Sequence, residues 1–339
     1  MIRKPAAFAL FAALLAATPN AALAWGSTGH RIISRLGVET LPADVPAFLH
    51  DPAIVTEIGE LGREPDRSRG AGQPHDADLD PGHFFDIDDS GHALGGIAVA
   101  DLPPTRAEFQ VAVSKGGADP AKAGYLPYNI MDGYQQLTKD FTYWRIETIA
   151  AQRATDPQQR AYYVADLKLR QDMIVRDLGY WSHFVGDASM PLHVSVHYNT
   201  WGDYPNPHHY TAEKIHGPFE GAFVHDHVVE ADVRTAMTPP KICADPLQAC
   251  VTAYLETSRG YVEPLFALWT AGAFQNGDPR AKAFAVERLS AGAVALRDLV
   301  TAAWRASADG SIGGRDKAVS VKAVAAGAPV PLDALYGDD

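Results

Sequence analysis

Three side chains in the stretch Leu178–His193 could hold a metal ion. His183 and Asp187 are four residues apart, so on a helix they lie on the same face. His193 follows Pro191, just beyond the expected end of that helix. Imidazole and carboxylate groups that converge at one helix end can form a metal pocket. A solvent-exposed His–Asp pair beside an unrelated third histidine would show the same spacing, so this stretch alone leaves both alternatives open.

Further candidate ligands lie far from this stretch in the sequence. His216 and Glu220 repeat the four-residue spacing of the first pair. Such pairs on different helices can converge in the core of a helical bundle. The remaining candidates are Trp25, His30, Asp66 and His83.

The elements that must position these residues are predicted to be helices. Apolar residues recur at three-to-four spacing along most of the chain, and no alternating βαβ pattern is present. We expect a mainly α protein, a single-domain helical bundle with long loops over residues 25–308. Helices are predicted over 129–154 and 246–268, and Asp156-Pro157 predicts the start of the helix that carries His183. The Gly- and Ala-rich tail, 309–339, is expected to pack poorly or to be disordered.

The N-terminus indicates export. Residues 1–24 have a basic start, a short apolar run and an A-x-A pattern that ends at Ala24, which together are typical of a signal peptide. We therefore expect cleavage before Trp25 and a periplasmic or secreted protein. Export permits a disulfide between Cys243 and Cys250, and two unpaired thiols are the alternative.

The overall charge restricts the kind of substrate site. The 339 residues carry a formal net charge of −12. This charge argues against a broad basic surface that binds nucleic acid by neutralising phosphates. If the protein acts on phosphate esters, metal ions must supply much of the local positive charge.

The candidate residues fall into an ordered set of motifs, and the set resembles the S1/P1 nuclease and zinc-dependent phospholipase C superfamily. From the N-terminus onward, the motifs are W-G-x-x-G-H from Trp25, D-x-x-R from Asp66, H-F-x-D from His83, H-F-x-G-D-x-x-x-P-L-H from His183 and H-x-x-x-E from His216.

The resemblance implies a cleft that binds three zinc ions. Asp187 would bridge two of them because it belongs to two ligand sets. The α-amino group of Trp25 would be a ligand, and cleavage after Ala24 would create it. Position by position, the first set would be Asp66, His83, His183 and Asp187, the second His193, His216 and Glu220, and the third Trp25, His30 and Asp187.

The resemblance also implies roles for residues beside the metals. Asp66 would orient the attacking water, and Arg69 would bind a phosphate oxygen in the transition state. A surface salt bridge is the alternative for Arg69. Phe84 would stack on a base and Asp86 would contact that base, whereas core packing is the alternative for Phe84.

These observations predict a secreted zinc-dependent phosphodiesterase, an endonuclease that cleaves single-stranded DNA or RNA with a metal-activated hydroxide as the nucleophile. Nucleotides with a 3′-phosphate are a further expected substrate class. Within the superfamily, the short step from Trp25 to His30 and the presence of Arg69 match the nucleases rather than the phospholipases. Glu220 instead matches the phospholipases, so a phospholipase C acting on lipid headgroups is the alternative. An inactive exported metal-binding protein is a third alternative. No stable protein partner is expected, and the chain is expected to be a monomer.

Overall fold

The computed structural model describes residues 25–275, 278–313 and 318–330. The predicted signal peptide and residues 331–339 of the predicted tail lie outside these ranges. Within them, the chain is mainly helical, as the sequence predicts. The α-helices are α1 (Gly26–Glu39), α2 (Pro52–Leu61), α3 (Glu64–Ser68), α4 (His75–Leu79), α5 (Arg106–Lys115), α6 (Pro120–Ala123), α7 (Leu126–Arg153), α8 (Pro157–Asp187), α9 (Val224–His227), α10 (Glu230–Ala236), α11 (Leu247–Arg259), α12 (Val262–Thr270), α13 (Pro279–Ala306) and α14 (Val321–Ala325).

Two small antiparallel ribbons accompany the helices. Strand β1 (His92–Ala93) pairs with β2 (Ile97–Ala98), and β3 (Ser311–Ile312) pairs with β4 (Val319–Ser320). Each strand has two residues, so the ribbons join loops and the helices supply the core.

Two long helices, α7 and α8, pack against each other. Helix α8 begins at the predicted Asp156-Pro157 step, where the Asp156 side chain accepts a hydrogen bond from Gln159 N at 2.7 Å. This bond satisfies one of the amide groups that a helix start leaves without a partner.

Close packing holds the C-terminal half of α8 against α7. The Trp181 indole lies so near Gly133 that an added Cβ there would be 2.0 Å from the ring. The same indole donates from Nε1 to the carbonyl oxygen of Ile130 at 3.0 Å. Trp181 is two residues before His183, so this contact fixes the part of α8 that carries the candidate ligands.

Helix α1 lies at the centre of the fold and packs against α2, α8 and α13. Its Ile33 and Leu36 side chains are fully buried. On the side that faces α8, the Ser34 and Ser182 hydroxyl groups are 2.7 Å apart. The central position of α1 brings the N-terminal residues of the described chain next to the end of α8.

The predicted helix over 246–268 is two helices, α11 and α12. The chain turns at Gly260 and Tyr261, where Gly260 N donates to Glu256 O and Tyr261 N donates to Ser258 O. Cys243, which precedes α11, forms a disulfide with Cys250 in the first turn of α11. In the described part of the chain, every helix is too short or too polar to cross a membrane.

The predicted tail is packed where the structure describes it, over 309–313 and 318–330. Ile312, Val321 and Val324 are buried in a cluster with Ile146 of α7. Arg153, the last residue of α7, also donates to backbone carbonyl oxygens of α14. The expectation of poor packing is therefore corrected for these residues, because their few apolar side chains are spaced to cover α7.

A buried charged cluster lies between α7 and α8. Asp140 and Glu147 of α7 have no exposed surface, and Arg170 of α8 lies 2.9 Å from Asp140 and 3.7 Å from Glu147. Burial, together with the neighbouring Asp166 carboxylate, raises the pKa of Glu147 to about 8. The folded protein therefore favours a protonated Glu147 at neutral pH.

Replacing Glu147 with glutamine should make the protein less sensitive to rising pH. The folded-state pKa lies above the unfolded value, so in the wild type this group costs stability as pH rises from about 5 to about 8. Glutamine mimics the protonated form. In urea unfolding, the free energy of unfolding of Glu147→Gln relative to wild type should increase between pH 5 and pH 8.5. The exposed Glu57→Gln is the control, and a difference that does not change with pH would contradict the assignment.

Candidate metal centre

The end of α8 brings two candidate ligands to one face, as the spacing predicts. His183 Nε2 lies 3.3 Å from Asp187 Oδ2, and neither side chain has any exposed surface. Asp187 is the last residue of α8. The chain then turns through Met190 into a short 3₁₀ turn over Pro191–His193, which returns His193 to the same buried region. The alternative of a solvent-exposed His–Asp pair is excluded by this burial.

Four atoms meet around the first predicted zinc position. His83 Nδ1 and His183 Nε2 are 3.0 Å apart, and they lie 3.2 and 3.3 Å from Asp187 Oδ2. The same two nitrogens lie 3.9 and 3.8 Å from Asp66 Oδ1. Ligands at tetrahedral zinc distances are separated by roughly 3.4 Å from one another. The His83, His183 and Asp187 atoms therefore have the spacing of zinc ligands, whereas the Asp66 oxygen lies farther out and also forms a candidate group with His30 and His183.

The second predicted set is also assembled. Glu220 Oε2 lies 2.8 Å from His216 Nε2 and 3.9 Å from His193 Nε2. All three side chains are buried. His216 precedes a π-helical turn over Pro218–Phe223, and this turn carries Glu220. Apolar residues keep a helical spacing from His216 to Asp232, which predicts one helix, whereas the structure has this turn followed by the short helices α9 and α10.

The third predicted set is brought together only in part. His30 Nε2 lies 3.4 Å from Asp187 Oδ1, the oxygen that faces away from the first group. The two oxygens of Asp187 therefore contact different histidines: Oδ1 contacts His30, and Oδ2 contacts His83 and His183. A ligand that bridges two metal ions requires such an arrangement. Trp25 N lies 3.2 Å from Glu220 Oε2 instead. The Trp25 indole donates to Gly186 O at 3.0 Å, which anchors this residue beside Asp187.

Backbone carbonyl groups fix the orientation of two histidine rings. His183 Nδ1 donates to Gly62 O at 2.8 Å, and His193 Nδ1 donates to His83 O at 2.5 Å. In each ring the proton on Nδ1 leaves Nε2 with a lone pair that points into the cluster. This arrangement is characteristic of histidines that bind metal ions.

Several buried polar atoms of the candidate ligands make no hydrogen bond within the described chain. Within the described chain, neither oxygen of Asp187 makes a hydrogen bond, and the Nε2 atom of His193 makes none. Burial, followed by the nearby Asp66 and Glu220 carboxylates, raises the pKa of Asp187 well above its ordinary value. Such groups cost free energy unless a partner compensates them. Neutral imidazoles and carboxylates form a donor set that suits zinc, so the residues fit this ion.

The histidine pKa values shift in the direction that metal binding needs. Burial, with the Arg69 and His30 charges, lowers the pKa of His83 to about 3. Burial also lowers the pKa values of His183 and His193 well below the usual range. These rings are therefore neutral at physiological pH, the form that binds metal ions. In contrast, burial raises the pKa of Asp66 to about 7, although Arg69 opposes the shift.

Arg69 lies at the rim of the first group. Its Nη1 atom is 3.7 Å from Asp66 Oδ1, and its Nε atom is 3.4 Å from Asp80 Oδ1. The side chain is 22% exposed, so one part of the guanidinium group remains accessible from a cleft beside His83. The structure thus places Arg69 where both an ion pair and a substrate contact are available.

Phe84 and Phe85 have different environments. Phe85 is fully buried and packs on Phe109, whereas Phe84 is partly exposed. Phe84 has extended backbone, so Asp86 projects on the same side as Phe84. Burial raises the pKa of Asp86 to about 8. Core packing is therefore the role of Phe85, and Phe84 remains available for a ligand.

Gly124 determines the backbone conformation around Phe84. Its φ angle is +84°, and a Cβ at this position would lie 2.1 Å from Phe84 O. The approach permits Phe85 and Gly124 to form an isolated antiparallel bridge, and Asp86 N donates to Ala123 O at 2.9 Å. A larger residue at position 124 would therefore displace the segment that follows His83.

The sequence analysis missed the cleft next to Arg69. It has a volume of about 530 Å³ and is lined partly by α7 and α8. Helical spacing could have placed its α7 residues on one face, but nothing in the sequence indicates that α5 and α8 close around that face. The cleft residues that the sequence analysis did not assign include Arg106, Asn129, Asp132, Gln136, Arg176 and Tyr180.

Comparisons with known proteins show a structural likeness but no sequence match. No protein-family model and no curated protein matches the sequence. Among solved structures, the chain is similar to the alpha toxin from Clostridium absonum, with 13% sequence identity and a TM-score of 0.42. The match covers 86% of this chain and 68% of the toxin chain. A likeness of this degree carries no conclusion about the site.

Replacing Asp187 with asparagine should separate metal binding from folding. The raised pKa of Asp187 means that its charge opposes folding of the metal-free protein at pH 7.5, so metal-free Asp187→Asn should melt at or above the wild-type temperature. The increase in melting temperature on adding zinc should be much smaller in the variant, because zinc stabilises only the state that binds it. Thermal unfolding in EDTA and in zinc measures both effects.

The matched control is Asp226→Asn, which breaks an exposed His–Asp pair with His225. This control should retain the wild-type response to zinc. A metal-free Asp187→Asn that unfolds far below wild type while retaining the full zinc response would show that Asp187 is only a structural residue.

Proposed function

We propose that this chain is a zinc-dependent phosphodiesterase that hydrolyses single-stranded DNA or RNA, with 3′-nucleotides as further substrates. The observation that carries the proposal is the convergence of buried imidazole and carboxylate groups from separate parts of the chain, at spacings that suit zinc. Arg69 and the partly exposed Phe84 lie next to this cluster in space or in sequence. Together they offer groups for a phosphate and for a base.

In this proposal the metal ions are held by the residue sets that the resemblance implies, and the contacts within the observed clusters support it. Zinc supplies Lewis-acid activation of water and compensates the charge of a phosphoryl group when it is bound. The shared ligand Asp187 connects the first set to His30, and the amino group of a chain that begins at Trp25 completes the third set. The first set is Asp66, His83, His183 and Asp187, and the second set is His193, His216 and Glu220.

Two charged side chains act on the phosphate and on water. Asp66 orients the attacking water, because its carboxylate lies between the histidine cluster and Arg69. Arg69 donates hydrogen bonds to a phosphate oxygen and stabilises the charge that develops in the transition state. The ion pair of Arg69 with Asp80 holds the guanidinium group in position.

Phe84 and Asp86 bind the base of the nucleotide. Phe84 stacks on it, and stacking tolerates any base because each base has an aromatic face. Asp86 projects on the same side and supplies a polar contact. This pairing favours single-stranded substrates, because the bases of a duplex are already stacked and paired.

A phospholipase C is the second candidate, and Glu220 is the residue that favours it. The phospholipase branch of the resembled superfamily has Glu at this position, whereas the nuclease branch has Asp. The Glu220 carboxylate reaches His216 at 2.8 Å, so the longer side chain is compatible with a ligand role. Substrate assays are therefore needed to separate the two candidates.

The proposed function predicts that the protein starting at Trp25 cleaves single-stranded DNA, RNA and 3′-AMP in a zinc-dependent manner. EDTA should abolish the activity, and zinc should restore it after the chelator is removed. The same preparations are assayed in parallel on phosphatidylcholine. Activity on the phospholipid alone would favour the second candidate, and an activity that survives EDTA would overturn both.

Phe84→Ala should reduce kcat/KM on single-stranded DNA roughly tenfold or more, because one base–aromatic stack contributes about 1–3 kcal/mol. Phe84→Leu retains the apolar volume without the aromatic face and should lose nearly as much. Bis(p-nitrophenyl) phosphate, which carries no base, serves as the control substrate. Equal losses on both substrates, together with a lower melting temperature, would assign Phe84 to packing instead.

A further inference from the structure

Most of the residues that line the cleft beside Arg69 have no role in the proposed zinc chemistry. It has a volume of about 530 Å³, and its lining includes the proposed zinc ligand His83. The described lining also includes Arg69, the proposed phosphate contact, but does not include Phe84. A substrate held at His83 and Arg69 can therefore extend a second group into this cleft, away from Phe84.

One wall of the cleft presents hydrogen-bond acceptors. Asn129, Asp132 and Gln136 follow one another at helical spacing on the same face of α7. The Asn129 amide nitrogen donates to Gly82 O at 3.3 Å, and the Gln136 amide nitrogen donates to Asp140 at 3.2 Å. Both NH₂ groups are thus directed toward the protein. These side chains offer a ligand their carbonyl oxygens, beside the carboxylate of Asp132.

The opposite wall is aromatic and comes from α8. Tyr180 and Phe184 are one turn apart, and their ring centroids are 5.9 Å apart. Both line the cleft. Aromatic side chains of this kind form a surface on which a flat ring can stack.

We propose that this cleft is a second nucleotide subsite that selects bases with an exocyclic amine, namely adenine, cytosine and guanine. Asp132 and the two amide carbonyl oxygens accept hydrogen bonds from the amine, while Tyr180 supports the base. Thymine and uracil lack an exocyclic amine, so they make fewer of these bonds. The inference rests on the proposed nuclease function and adds a base preference to it.

A lipid headgroup with a quaternary ammonium fits the cleft less well. The cleft is lined by the guanidinium groups of Arg69, Arg106 and Arg176 and by four carboxylates, those of Asp78, Asp80, Asp132 and Asp177, so charge alone does not distinguish the two ligands. The hydrogen-bonding groups do, because a quaternary ammonium has no N–H group for the Asn129 and Gln136 carbonyl oxygens. A base with an exocyclic amine uses these acceptors, and the arginines favour the phosphate attached to its sugar.

The test compares the homodinucleotides dApdA, dCpdC and dTpdT, so that the base in the cleft is known whichever side it occupies. Wild type should have a higher kcat/KM on dApdA and dCpdC than on dTpdT. Asp132→Ala, which removes the acceptor, should lower kcat/KM on dApdA and dCpdC roughly tenfold, with a loss on dTpdT at least several times smaller. Asp132→Glu, which retains the carboxylate, should recover part of the preference.

Asp172→Ala is the matched control, because it removes an exposed carboxylate on α8 that does not line the cleft. It should show wild-type values on all three dinucleotides. An Asp132→Ala variant with equal losses on the three substrates, or with none, would overturn the subsite and leave the proposed nuclease function standing.

A wild-type protein that cleaves no nucleic acid would overturn the proposed function. In that case, direct measurement of ligand binding still tests the subsite. Calorimetry with the zinc-loaded protein measures adenosine, thymidine and phosphocholine separately. Adenosine binding that exceeds thymidine binding and falls in Asp132→Ala supports the subsite. Binding of phosphocholine without adenosine, or of none of the three compounds, overturns it.

Discussion

The buried carboxylate of Asp187 is the constraint on which the rest of the structure depends. It has no exposed surface, and within the described chain its oxygens make no hydrogen bond. His30, His83 and His183 surround it, and each is buried and lies within 3.2–3.4 Å of one of its oxygens. Burial of these groups is costly unless a cation compensates the charge. The packing of α1 and α7 against α8 keeps the carboxylate in this position.

Much of this arrangement could be predicted from the sequence, because local spacing determines it. A separation of four residues places His183 and Asp187 on one face of any helix, and Asp156-Pro157 marks where that helix begins. The motifs then indicated which distant residues would join them. The predicted ligands other than Trp25 do come together through their side chains.

The rest depends on contacts that no local pattern encodes. The cleft between α5, α7 and α8 depends on the packing of Trp181 on Gly133, which sets the spacing between α8 and α7. These two residues are far apart in the sequence. The tail was expected to pack poorly from its composition, yet Ile312, Val321 and Val324 cover part of α7. The position of Trp25 N near Glu220 likewise arises from the packing of α1 and not from the motif.

The central claim is that these buried residues form a three-zinc site completed by the amino group of Trp25. The most direct test is the zinc content per chain, measured for the protein that starts at Trp25 and for one with a single additional alanine before it. The account predicts three zinc ions in the first protein and two in the second. No bound zinc in the first protein would contradict the metal site itself, and three zinc ions in the extended protein would contradict the role of the N-terminal amino group.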